Sequence, residues 1–131
     1  MSSLLLTLFI VMLLPYLAKA PLVLAMNREP EGYDNHNPRQ QQARLTGFGQ
    51  RANAAHYNSF EALVIYGCAV LAVGLSGQTG AWVLGLGWLF VLSRLLYLVC
   101  YWYDFSSMRS LVWLLGMVAA FTMAGLAVWG G

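Results

Sequence analysis

The chain has 131 residues, of which 60% are hydrophobic and only 9% charged, whereas a soluble domain carries about 25% charged residues. That balance excludes an ordinary water-soluble domain and, with its long apolar runs, places the chain among integral membrane proteins. A net charge of +2 is too small and too dispersed for a nucleic-acid partner.

Four segments are long and apolar enough to cross a bilayer: residues 4–26, 48–75, 79–103 and 107–129. A crossing takes about 20 helical residues. The expected fold is therefore an all-α integral membrane protein, a four-transmembrane-helix bundle forming one domain over residues 1–131. The first segment, "LLLTLFIVMLLPYLAKAP", has the apolar core of a secretory signal and small residues at Ala18 and Ala20. No basic residue precedes that core, and Pro21 would follow the cut, so the segment is expected to remain as a first helix bent at Pro15 and Pro21.

The first connection, "NREPEGYDNHNPRQQQARLTG", is amide-rich and punctuated by proline. At about 20 residues it exceeds ordinary helix connections, and reads either as a binding loop or as a solvated loop. Its Arg39 and Arg44 suit a lipid surface, and His36 lacks partners for a metal. Arg28, Arg39, Arg44 and Arg51 cluster in or beside this connection, and Arg109 sits at the third. The second, "GLSGQTG", has no basic residue. The positive-inside rule then puts the first and third connections in the cytoplasm and the termini outside.

The second span opens with "LTGFGQRANAAHYNSFE", where Thr46 or Gly47 would cap the helix. Helical spacing places Arg51, Asn58 and Glu61 along one face, with Ala54 and Ala55 leaving room over it. Glu61 thus carries a charge into the apolar zone, at a cost of about 2.5–3.5 kcal/mol at a helix centre and less near the surface. Such a charge persists when paired within the bundle or when it lines a polar cleft, and both readings stay open.

In the third span, "LSRLLYLVCYWYD" aligns Arg94, Tyr97 and Tyr101 on one face. Arg94 is expected to be a structural intramembrane charge, partnered by Glu61 or a carbonyl. Tyr101, Trp102 and Tyr103 read as an interfacial aromatic belt, while Tyr97 lies deeper and its hydroxyl needs a partner. The two cysteines, Cys68 and Cys100, are expected to be buried free thiols. The glycines of the spans are expected to bring helices close.

The short third connection, "DFSSMRSLVW", implies a tight hairpin, with Ser107 as cap and Arg109 and Ser110 in the first turn of the last helix. A cation there opposes the helix dipole and suggests an anionic partner. The polar set Arg51, His56, Asn58, Glu61, Tyr97, Tyr101, Arg109 and Ser110 collects at the cytoplasmic end. It suits a small zwitterion with two carboxylates and an amine, and equally a structural polar cap.

"RANAAHYNSFEA" resembles the second-helix motif of the MAPEG family, the membrane-associated proteins of eicosanoid and glutathione metabolism. "SRLLYLVCYWYDFSSMRSLVWLLG" resembles that family's hairpin between its third and fourth helices. The likeness covers nearly the whole chain. It implies a homotrimer in the membrane (the inner membrane, for a bacterial member) with glutathione bound as co-substrate between subunits, and no metal. By the same likeness His56, Asn58, Glu61, Tyr97 and Tyr101 would bind glutathione, while Arg109 and, secondarily, Ser110 would be catalytic. Arg51, outside the family's arginine position, is a further glutathione-binding candidate for the ligand's carboxylates. The thiolate is the nucleophile of a thiol whose free pKa is about 8.5, and a nearby guanidinium favours it. Glutathione-using members carry an Arg four residues before the Asn; here that position is Ala54.

Three functions follow as expectations. The first is a glutathione-dependent transferase or peroxidase attacking lipophilic electrophiles or hydroperoxides delivered from the lipid. The second is a non-catalytic relative binding a small anion, a lipid headgroup or a partner protein. The third is a transporter or channel subunit, since intramembrane charges also line pathways.

Overall fold

A computed structural model describes residues 1–130, which form five helices: α1 (Ser2–Asn27), α2 (Pro38–Arg44), α3 (Phe48–Ser76), α4 (Ala81–Trp102) and α5 (Ser106–Trp129). Of these, α1, α3, α4 and α5 are long and apolar enough to span a membrane. They match the four sequence-derived spans to within a few residues, and α1 runs unbroken through Pro15 and Pro21.

Packing is tightest within the α4–α5 hairpin and between α1 and α3, and α3 also lies against α5. The main core is built from Leu4, Val11, Tyr66, Val73, Phe90 and Met123, drawn from all four long helices. Its centre holds a polar knot. The hydroxyls of Thr7 and Tyr66 are 2.6 Å apart, and Tyr66 stacks on Phe90 with ring centroids 4.2 Å apart. Gly87 makes this possible, because a Cβ there would stand 2.8 Å from the Tyr66 hydroxyl. Gly116 is equally confined, against Ser93 Oγ. Gly67 and Gly85 instead face open space, so close packing explains only part of the glycine content.

The first connection is a built element rather than a plain loop. Asp34 Oδ1 accepts from the backbone N–H groups of His36 and Asn37, at 3.0 Å each, which leads into α2 with Pro38 at its first position. Pro lacks an N–H and suits that position. Buried Gln41 then ties the segment down: its amide nitrogen donates to the carbonyls of Gly32 (2.8 Å) and Met26 (3.3 Å), and its oxygen accepts from the Asp34 N–H. On the other side of α2, Arg39 donates to the Tyr57 hydroxyl, which donates to Gln42 Oε1.

Two further expectations change. The cap of α5 is Phe105, not Ser107, and no side chain bonds its first turn; the hairpin turn is only residues 103–105. There the Phe105 N–H reaches the Cys100 carbonyl at 2.8 Å while Asp104 takes φ 62°, a left-handed helix ending that Asp tolerates better than most residues. Both cysteines are free, but only Cys100 is buried; Cys68 lies on the exposed face of α3.

Candidate functional site

Six of the sequence-derived site residues form one continuous row at the end of the bundle that carries the first and third connections. On α3, Asn58 Nδ2 donates to Glu61 Oε2 at 3.3 Å. From α4, Arg94 Nη2 donates to Asn58 Oδ1 at 2.7 Å. The Arg94 guanidinium also lies 4.1 Å from the centroid of the Tyr97 ring. Tyr97 meets Tyr101 edge to face, with centroids 5.5 Å apart. The row ends on α5, where the Arg109 guanidinium sits 4.3 Å from the Tyr101 ring centroid.

Each contact follows from local helix geometry. The i, i+3 spacing of Asn58 and Glu61 puts both on one face of α3, and the i, i+3, i+7 spacing of Arg94, Tyr97 and Tyr101 does the same on α4. The short hairpin then brings the first turn of α5 back beside Tyr101. Cation–π attraction holds each guanidinium over a phenol ring. The outcome is a carboxylate at one end, a guanidinium at the other, and an amide, a second guanidinium and two phenols between them.

The row is graded in exposure. Arg94 retains 1% of its surface and Tyr97 5%, Asn58, Tyr101 and Arg109 are half-buried, and Glu61 is exposed. Of the two partners expected for Arg94, Glu61 or a carbonyl, it takes a carbonyl oxygen, that of the Asn58 side chain, which stands between Arg94 and Glu61. Tyr97 contributes its ring to these contacts rather than its hydroxyl. Arg94 Nη1 is buried without a partner among the described residues, as are Arg51 Nε and Trp102 Nε1. Buried donors of this kind are uncommon and call for an explanation.

The other candidates lie apart from the row. His56 is buried, with 3% exposure, and its Nδ1 is 2.7 Å from the Pro15 carbonyl oxygen. It packs edge-on against Phe60 of its own helix, and the contact with Pro15 links α3 to α1. Arg51 is half-buried on the α3 face that carries Asn58, with Ala54 between them. Ser110 is exposed, next in the chain to Arg109. The sequence reading passed over Lys19, a half-buried cation within α1. Its signal was plain: a single charge in a 26-residue apolar helix. The reading also passed over Tyr57, where α2 and α3 are joined.

The row can accept an ammonium group at Glu61, donate to a carboxylate from Asn58, and place a fixed positive charge at Arg109. None of these needs a metal, and no metal-binding cluster of three or more His, Cys, Asp or Glu occurs among the described residues.

Of three comparisons with known proteins, one finds a match. No curated protein and no solved structure gives a significant match. The MAPEG family profile, however, matches residues 3–129, from the start of α1 to the end of α5. With that match over nearly the whole length and four membrane-spanning helices in one bundle, the chain belongs to the MAPEG family, membrane proteins of eicosanoid and glutathione metabolism.

Proposed function

We propose that this protein is a membrane-bound glutathione-dependent transferase or peroxidase, working as a homotrimer with its polar row on the cytoplasmic side. The observation that carries the reading is the unbroken contact path from Glu61 through Asn58, Arg94, Tyr97 and Tyr101 to Arg109. Glutathione has complementary ends. Its ammonium group pairs with the Glu61 carboxylate, and its adjacent carboxylate takes a hydrogen bond from the Asn58 amide. The tripeptide extends along the two phenols, which leaves the sulfur near Arg109.

Arg109 then performs the activation. A guanidinium in a partly desolvated cleft stabilises the thiolate over the thiol. The thiol proton leaves to water, and the thiolate then takes one of two courses with a partner dissolved in the bilayer. It forms a thioether by displacing an electrophile's leaving group, which departs as an anion. Alternatively it attacks the outer oxygen of a hydroperoxide, so that the O–O bond breaks and the alkoxide takes a proton from water to leave as the alcohol. The sulfenic acid then condenses with a second glutathione to give the disulfide and water. Ser110, beside Arg109, is a secondary donor toward the reacting group. Arg51, one turn beyond Ala54, is the nearest cation on that face for the second carboxylate.

Ala54 supports a second reading. Without an arginine there, a charge-assisted hydrogen bond worth about 1.5–3 kcal/mol is missing from the α3 face. The protein would then be a non-catalytic member binding a small anion, a lipid headgroup or a partner protein. One titration separates the two. Purified protein in detergent is mixed with glutathione and the thiolate absorbance is followed against pH. A saturable signal near neutral pH, abolished in Arg109→Ala with the assembly intact, is the expected result. No signal at millimolar glutathione would leave the second reading in front.

A further inference from the structure

The bonding around Arg94 is directional. A guanidinium only donates hydrogen bonds, and an ionised carboxylate only accepts them. Asn58 is held between one of each, so its amide has a single allowed orientation. The oxygen faces Arg94 Nη2 at 2.7 Å, and the nitrogen faces Glu61 Oε2 at 3.3 Å. The same guanidinium lies over the Tyr97 ring. One buried cation therefore fixes two groups of the row at once.

A charge kept only to hold the bundle together would be satisfied differently. Paired with Glu61 it would neutralise both ions and use both of its amino groups. Here Arg94 binds a neutral amide, leaves Nη1 buried without a partner among the described residues, and leaves the carboxylate exposed. Unpaired buried donors are destabilising. The arrangement gives up stability to keep Glu61 outward and the Asn58 amide turned one way.

We propose that Arg94 is a positioning residue. By locking Asn58 it keeps an N–H donor beside an acceptor, since the amide nitrogen carries two hydrogens and only one is bonded to Glu61. The pair takes the α-amino-acid end of a ligand: its carboxylate on the free Asn58 hydrogen and its ammonium on Glu61. Arg94 acts through these neighbours and does not touch the ligand's reacting sulfur. The inference rests on the glutathione reading for the ligand, but the locking of Asn58 does not.

Two readouts test it on the intact protein in detergent. The first is the side-chain amide NMR signal of Asn58 in asparagine-¹⁵N-labelled protein, assigned by its loss in Asn58→Ala. The second is the glutathione dissociation constant, with the thiolate titration alongside. In Arg94→Gln the Asn58 amide signal is expected to shift and broaden. The dissociation constant should rise about ten- to a hundredfold, while the pH at which bound thiol ionises stays in place because Arg109 sets it. Arg94→Lys, which keeps the charge but loses the planar fork, should recover part of the affinity and serves where Arg94→Gln fails to fold. An Asn58 signal unchanged by either folded variant would overturn the proposal, as would unchanged glutathione affinity in both. A wild-type protein that binds no glutathione, with Asn58 still released in Arg94→Gln, would remove the glutathione reading and leave the positioning role standing.

Discussion

At the scale of single residues, helical angle decides which polar side chains meet. Asn58, Glu61, Arg94, Tyr97 and Tyr101 were legible because their spacings of three, four and seven place them on shared faces. His56 illustrates the limit. Two residues before Asn58, it sits about 200° around the helix, which turns it away from Asn58 toward α1. Its type suggests ligand chemistry, whereas its angle makes it a link to the Pro15 carbonyl. His56→Leu is accordingly expected to cost about 0.5–1.5 kcal/mol of stability, by removing the buried hydrogen bond that ties α3 to α1. Glutathione thiolate formation should stay as in the wild type. Thermal unfolding in detergent, read beside the thiolate titration, checks both halves, and a stable variant with lost thiolate signal would return His56 to the site.

At the scale of elements, what the sequence shows depends on where an element gets its stability. The four long helices are declared by apolar length alone, and bilayer thickness then sets their limits. Helix α2 was hidden for the opposite reason. It has seven residues, carries no apolar period, and is held by the tertiary hydrogen bonds of Gln41 and Gln42. Glycines show the same division: the sequence marks Gly85 and Gly87 alike, but only Gly87 lies where α1, α3 and α4 converge. A methyl group there meets the Tyr66 hydroxyl, Leu4 and Thr7. Gly87→Ala is expected to break the Thr7–Tyr66 bond and to destabilise the bundle by about 1–3 kcal/mol through overpacking. Gly85→Ala, with open space around it, should leave the melting temperature unchanged or raise it slightly. Melting the two variants side by side tests whether the convergence point is as tight as the geometry requires.

At the scale of the whole molecule, the row is unfinished in a single chain. Glu61 is exposed on a membrane-spanning helix, and a carboxylate facing hydrocarbon costs about 2.5–3.5 kcal/mol at mid-bilayer, less toward the surface. Two things can cover it. In the proposed trimer, another subunit can bring a cation or a donor to it and so make Glu61 part of the assembly. Alternatively, neighbouring subunits can form the walls of a cleft in which Glu61 meets water or an ammonium group. The glutathione reading requires the second. Under it, Glu61→Gln keeps the amide–amide contact to Asn58 but removes the ammonium's counter-charge. The proposed trimer should then remain intact by native mass spectrometry or light scattering, while glutathione affinity falls by about ten- to a hundredfold, the range for a lost charge-assisted hydrogen bond. If Glu61 instead holds the subunits together, the same substitution would release monomers with no ligand present. The first result would place the carboxylate with the ligand, and the second would place it in the architecture.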